Sequence, residues 1–381
     1  MGRGAMVTTA SVVVVLGTAT GMLSALGDRD GSDEARPALV SDSPRPGPSS
    51  PSAVPSASEQ AAPSAPGPAS AKASASPSPR KADSGSAKAR TATVTRLYRH
   101  PDSQVLDWVR AHPRDRRADV IETRIADRPA AVWFADHTPA TITSRVRAVT
   151  SGGAARGRVP VVVAYAIPDR DCGGASQGGA PDLDAYDAWI ERFAAGLGSG
   201  EVVVVLEPDS IAQSDCLPAA ARADRFASLA RAGRVLKAAN PRARVYYDAG
   251  HSGWRPAAEQ AALLKQAGAA SAASSDGIFS NVSNFHTTPA EIAYDRQVLA
   301  ALGGPPGLGA VIDTSRNGNG APPDGQWCDP AGRKIGRPPT LDTGEPGIDA
   351  YLWVKLPGES DGCKGTPGTF SPSYAYDLAA P

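Results

Sequence analysis

Residues 201–209 read Glu-Val-Val-Val-Val-Leu-Glu-Pro-Asp. Four consecutive valines leave no polar face for water, so this segment suits a strand covered on both sides, as in a parallel sheet between packed layers. The run ends abruptly, with Glu207 and Asp209 at its C-terminal end. The same pattern recurs along the chain. Strands are predicted at 131–135, 159–166, 201–206, 244–248, 277–280, 309–312 and 350–355. Between them lie helical patterns. Residues 182–197 place Leu183, Tyr186, Trp189, Ile190 and Phe193 on one face. The segments 218–239, 256–267 and 289–302 each carry Pro near the first turn, where its missing N–H is tolerated. Thr288-Pro289-Ala290-Glu291 reads as a capping box. This alternation predicts an α/β domain. An α/β barrel, closed or partly open, is the first architecture it suggests and a doubly wound open sheet the second. The dinucleotide fingerprint is absent from the first strand–helix turn, which weighs against the Rossmann version.

Outside this block the composition changes. Residues 36–93 are dominated by Pro, Ser, Ala and Gly and hold almost no large apolar side chain, which predicts a disordered spacer. Ahead of it, Arg3 precedes an apolar run at 5–26 that Asp28, Arg29 and Asp30 end. Residues 1–35 therefore read as a signal peptide or a signal-anchor segment, leaving the rest of the chain secreted or held at the membrane surface by residues 5–26. The expected plan is an export segment at 1–35, a linker at 36–93 and a catalytic domain at 94–381. With 39 Lys+Arg against 39 Asp+Glu, the chain has no basic footprint for nucleic acid. An even set of four cysteines (Cys172, Cys216, Cys328 and Cys363) in an exported chain predicts two disulfides. No C-x-x-C is present and the five histidines lack ligand spacing, so no metal site is expected.

In α/β barrels the site lies at the C-terminal ends of the strands. Those ends supply Tyr165 and Asp171, then Glu207 and Asp209, then Asp248, His251 and Trp254, then Asp313 and Arg316, and last Lys355, Glu359 and Asp361. Any one acidic residue there could cap a helix or pair with a base. Five such ends on one rim crowd like charges, so one carboxyl retains its proton. A protonated carboxylic acid near neutral pH is what glycosidic cleavage requires. Trp133, Trp254, Trp327 and Trp353 lie near strand ends and could stack on pyranose faces, whereas Trp108 and Trp189 read as core on amphipathic helices. Gly250-His251-Ser252-Gly253 fails as a nucleophile elbow because Trp254 stands where Gly is needed. Asn317-Gly318-Asn319-Gly320 lacks the Lys-Ser/Thr of a phosphate loop.

From about Leu97 to the C-terminus the chain closely resembles glycoside hydrolase family 6, the inverting cellulases. The matching stretches are Trp133-Phe134-Ala135, Tyr165 with Arg170-Asp171-Cys172-Gly173, Glu207-Pro208-Asp209, Asp248-Ala249-Gly250-His251-Ser252, Asp313-Thr314-Ser315-Arg316-Asn317-Gly318, Trp327-Cys328-Asp329-Pro330, and Lys355-Leu356-Pro357-Gly358-Glu359 with Asp361. The resemblance implies a distorted barrel with fewer than eight parallel strands, which agrees with the seven segments above. It implies that Asp209 is the general acid, that Asp171 raises the proton affinity of Asp209 and helps to place the water, that Tyr165 lies under the distorted sugar, and that Asp361 matches a carboxylate argued to be the base. Asp248, Lys355 and Glu359 would bind sugar or order the site, Trp133, Trp254 and Trp327 would stack, and His251 and Asn281 complete the expected sugar-binding set. No metal or organic cofactor is implied, the partner is a β-1,4-glucan, and a monomer is expected. Ala166 and Asp136 depart from the usual pattern. The short segments after Asp209 and Asp361 point to an open, endo-acting cleft; a tunnel-forming cellobiohydrolase and a non-catalytic glucan-binding protein are the alternatives. Of the three possible disulfide pairings, Cys172–Cys216 with Cys328–Cys363 is the expected one.

Overall fold

A computed structural model describes residues 96–381. The predicted export segment (1–35) and linker (36–93) lie outside the described residues.

The strands are β1 (Arg96–Leu97), β2 (Val132–Phe134), β3 (Arg158–Val159), β4 (Val161–Ala164), β5 (Val202–Leu206), β6 (Ala243–Asp248), β7 (Gly277–Ser280), β8 (Gly309–Asp313) and β9 (Ile348–Leu352). The α-helices are α1 (Gln104–Ala111), α2 (Ala118–Ile121), α3 (Ile142–Ala154), α4 (Leu183–Ala195), α5 (Ala219–Ala239), α6 (Ala257–Gln266), α7 (Thr288–Leu302) and α8 (Pro372–Ala379). Seven strands form one sheet in the order β2-β4-β5-β6-β7-β8-β9, and every neighbouring pair is parallel. The sheet curls into an incompletely closed barrel. Its two edge strands share no ladder; they meet where the Ala131 N–H donates to the Trp353 carbonyl at 2.9 Å and the Trp133 indole N–H donates to the Val354 carbonyl at 2.7 Å. The distorted α/β barrel is thus the observed fold, and all seven predicted strands are present.

The valine runs are covered on both faces. Val161, Val163, Val203, Val205, Tyr246, Phe279, Val311 and Leu352 fill the barrel interior. Their neighbours Val162, Val202, Val204, Val245, Tyr247, Ile278 and Ile312 pack outward against Trp189, Phe193, Phe226, Leu264 and Val298 of the surrounding helices. Period-2 geometry sends alternate side chains to opposite layers, and both layers are apolar, so the sequence shows no alternation. Trp189 is fully buried, as expected of a core residue. Trp353 is buried as well, in a cluster with Val105, Ile121 and Leu356, and its indole N–H donates to the Arg337 carbonyl. It is therefore a packing residue rather than a sugar-stacking one.

Two local expectations shift. The predicted last strand starts earlier, at Ile348, and ends at Leu352, which frees residues 353–355 to enter the loop. The α7 cap is Thr287, whose side chain accepts from the Ala290 N–H, one residue before the predicted Thr288. Thr288 instead accepts from the Asn317 side chain at 3.1 Å, and Glu291 turns away to the Ser252 N–H at 3.0 Å. Tertiary partners outcompete the local box.

Candidate active site

Among the described residues, eight non-glycine residues hold positive φ: Asp169, Asp171, Cys172, Glu207, Asp209, Asn281, Ser283 and Asp329. All lie in loops that follow strands at the C-terminal rim. Such conformations are costly for L-residues and persist where surrounding contacts dictate them, which is typical of functional sites.

The loop after β5 carries Glu207 and Asp209. Glu207 is fully buried, and its carboxylate accepts from the Ala166 N–H (2.9 and 3.1 Å) and the Ile167 N–H (3.0 Å). Burial pushes its proton affinity up to about 7, against those N–H bonds. Asp209 is half-buried. Burial, then the charge of Asp248, then that of Asp171 hold its carboxyl well above the usual range. Asp248 at the end of β6 is buried, accepting from the N–H groups of Ile211 (3.1 Å), Ala212 (2.8 Å) and Gly250 (2.9 Å). It pins the turn that presents Asp209, and its oxygens are committed to backbone.

The loop after β4 is held from three directions. Glu207 takes its N–H groups, Arg225 of α5 donates to the Pro168 carbonyl at 2.7 Å, and Arg170 donates to the carbonyls of Ala135, Tyr165 and Ser176. Cys172 is bonded to Cys216, with Cα atoms 6.0 Å apart, tying this loop to the one after Asp209. Asp171 Oδ2 accepts from both the Ser176 N–H (2.8 Å) and the Ser176 hydroxyl (2.9 Å). The Ser176 oxygen lies 2.8 Å from the Tyr165 hydroxyl. Because Ser176 donates to Asp171, Tyr165 is the donor to Ser176. Burial keeps Tyr165 protonated. The edge of Trp133 meets the Tyr165 ring at 5.2 Å, and the Arg170 guanidinium stacks on it at 4.5 Å. Of the two departures, Ala166 is buried in the outer layer, and exposed Asp136 pairs with Arg145 at 3.9 Å.

The opposite wall is built differently. Asp361 is 9% exposed; its Oδ2 accepts from Arg316 Nη1 at 2.6 Å and from the Asp329 N–H at 3.1 Å, and Oδ1 lies 3.3 Å from Lys355 Nζ. Arg316 is fully buried and also donates to Ser283 O and to the Tyr374 hydroxyl. Asp329 clamps the loop by accepting from the Ser360 hydroxyl and the N–H groups of Asp361, Cys363 and Lys364. Burial opposes its ionisation, but these bonds outweigh burial and hold it below the usual carboxylate range. The Cys328–Cys363 disulfide staples the same segment, so both disulfides pair as expected. Glu359 is half-buried, and burial raises it to about 7 against the pull of Lys355 and Arg316.

Between the walls lie His251 and Trp254, with ring centroids 5.1 Å apart, and His251 stacks on His286 at 4.3 Å. Burial and the neighbouring ring lower His251 to about 3, so it is neutral. Its Nδ1 accepts from the Gly253 N–H at 3.2 Å, which leaves the proton on Nε2. Asn281 is fully buried, with its amide bonded to His286 N and O and to Asp313 O. It shapes the His286 turn rather than facing the cleft. Trp327 is 57% exposed, the one large hydrophobic side chain so exposed among the described residues. Sequence reasoning missed Ser176, the backbone clamps of Glu207 and Asp329, and the bond from Arg316 to Asp361; only the Arg316 motif carried a signal. A separate cavity of 530 Å³, lined by Tyr98, Arg99, Asp127, Arg156, Arg158 and Thr340 among others, opens beside the N-terminal ends of β2 and β4, away from these carboxylates.

The model of "Glycosyl hydrolases family 6" matches residues 87–377. Endoglucanase 1 of Streptomyces sp. (strain KSM-9) is 54% identical over 284 residues, covering 74% of this chain and 77% of that protein. Endoglucanase A of Thermobispora bispora is 50% identical over 283 residues, 74% of this chain and 61% of its own length. Among solved structures, the endoglucanase Cel6 from Mycobacterium tuberculosis, in complex with methyl-cellobiosyl-4-deoxy-4-thio-β-D-cellobioside, aligns with a TM-score of 0.70 at 39% identity, covering 75% of this chain and 97% of that one. A fold with this strand order, the clustered carboxyls on its rim and a family match that spans the described domain lead to one assignment: the chain belongs to glycosyl hydrolase family 6.

Proposed function

We propose that this protein hydrolyses internal β-1,4-glucosidic bonds of cellulose or a related β-glucan with inversion of configuration. One observation carries the reading. Asp209 keeps its proton through burial and two neighbouring carboxylates, while the residue as a whole stays partly exposed at the rim. Asp209 donates that proton to the glycosidic oxygen as the bond to the anomeric carbon breaks. A water attacks the opposite face of that carbon, and its proton is taken up by Asp171, the acceptor end of the chain in which Tyr165 donates to Ser176 and Ser176 donates to Asp171. Asp361 is less available to the water, because Arg316, Lys355 and the Asp329 N–H already engage its oxygens.

Trp133, Trp254 and Trp327 provide stacking surfaces, and Lys355, Glu359 and the Nε2–H of His251 provide polar contacts. The endo-acting form is favoured because the segments that follow Asp209 and Asp361 are short, and because the relatives at 54% and 50% identity are endoglucanases. Two disulfides suit an exported protein, and residues 1–35 supply the export segment with 36–93 as spacer. Among the described residues no helix is long and apolar enough to cross a membrane.

Proton NMR of a fresh cellohexaose digest tests the mechanism: the α-anomer is expected first, and β-anomer first would overturn inversion. A rapid fall in viscosity of a soluble cellulose derivative per reducing end released tests endo-action, and slow processive release of cellobiose would favour a cellobiohydrolase.

A further inference from the structure

Behind the His251–Trp254 loop, α7 buries two carboxyl groups one turn apart, Glu291 and Asp295, both fully inaccessible. Residues four apart on a helix share a face. Glu291 Oε1 accepts from the Ser252 N–H at 3.0 Å, and Asp295 Oδ2 accepts from the Ser280 hydroxyl at 3.0 Å. The remaining oxygens, Glu291 Oε2 and Asp295 Oδ1, have no partner among the described residues. Buried acceptors rarely go unsatisfied, and two buried carboxylates side by side cannot both ionise. A single proton held between the two carboxyls would satisfy both oxygens.

We infer that Glu291 and Asp295 share one proton and, through the Ser252 N–H, act as positioning residues for the His251–Trp254 sugar subsite. The inference rests on the proposed role of that loop in binding glucan. Burial, then mutual repulsion, raises Asp295 well above its ordinary value, and burial raises Glu291; no cation offsets either. Other titratable groups border the pair. Asp248 is committed to backbone N–H groups. Asp313 is likewise held by the N–H groups of Ser283, Ser315 and Lys355. The His251–His286 stack is kept neutral by burial. Arg255 is bonded to Ala212 O and Asp215, and Tyr294 donates to Ala249 O. None of these titratable groups supplies the missing donor, and of the hydroxyls near Glu291 that of Ser280 is committed to Asp295 Oδ2. Loss of the shared proton at alkaline pH sets two charges against each other and loosens α7 from the loop, so substrate binding weakens while the chemistry at Asp209 is not directly touched.

The test is the pH dependence of KM for cellohexaose, with kcat measured in parallel. Asp295→Asn and Glu291→Gln each put a permanent N–H where the proton lay. The wild type is expected to show an alkaline rise in KM, and both variants to flatten it, with kcat little changed. Glu291→Ala, which removes the Ser252 anchor, should raise KM about tenfold, the size of one buried hydrogen bond. Hydrogen exchange of residues 251–254 in the wild-type protein provides a readout that needs no variant: protection should fall between pH 6 and pH 9 beyond the intrinsic rate. An alkaline KM rise unchanged in either amide variant, or protection that does not change with pH, overturns the shared proton. If protection falls but KM does not follow it, the pair stands and the loop is not a glucan subsite.

Discussion

The two walls of the cleft use the same residue type in opposite ways. On one wall Asp209 is surrounded by other acids, Asp171 and Asp248, with no cation among the causes of its shift. On the other, Asp361 sits against buried Arg316 and against Lys355. The first surroundings keep a proton on a carboxyl, and the second bind a carboxylate as an ion pair. The chemistry of an aspartate here is set by which loop packs beside it, and the acid wall is where proton donation is possible.

The largest effect should come from removing the transferable proton of the acid wall. Asp209→Asn should lower hydrolysis by about 10²–10⁴-fold with cello-oligosaccharide binding retained, as seen by calorimetry. Turnover above a tenth of wild type would break the contrast. The ionic wall should respond in stability instead. Arg316→Met leaves Asp361 buried without its main partner and should cost about 3–5 kcal/mol in urea unfolding. A loss no larger than that of a surface substitution would mean that the pair is not what holds this wall.

Each wall also holds a glutamate that burial raises to about 7, Glu207 on one and Glu359 on the other. Glu207 has a folded value of about 7 against an ordinary 4.5, so the folded state binds the extra proton between those values. Stability is therefore fully present below the unfolded value and declines as pH rises through about 7, by an amount on the order of 1–3 kcal/mol. Thermal melts should be highest near pH 5 and lower at pH 8, with Glu207→Gln reducing the difference; an unchanged difference would remove Glu207 as its source. The smallest effect concerns Ser176. Ser176→Ala cuts the bridge between Tyr165 and Asp171 and should lower kcat about tenfold, consistent with one hydrogen bond, while KM changes little. A change confined to KM would place Ser176 in binding instead.

Much of this was legible beforehand. Valine runs at 161–163 and 202–205 announced strands buried on both faces, and their acidic endings marked the rim. The cysteines announced two bridges, and the family motifs named Asp209 and Asp171. Asp248 was legible as a rim residue and Asn281 was expected to bind sugar, but nothing in the sequence said that their polar atoms turn inward to backbone groups. Ser176 carried no signal, because a serine in a Gly-rich loop is ordinary until its hydroxyl is found between Tyr165 and Asp171.

By itself the sequence determined the parallel α/β architecture and the residue types on the rim, because strand burial and strand endings are written locally, in runs of a few residues. Only the tertiary structure decided which carboxyl keeps a proton, which becomes an ion pair and which is consumed as a backbone clamp. Those outcomes depend on burial and on partners far apart in the chain, such as Arg316 with Asp361 and Glu207 with Ala166. Electrostatic interactions strengthen as water is excluded, and no local pattern encodes which side chains a fold will desolvate together.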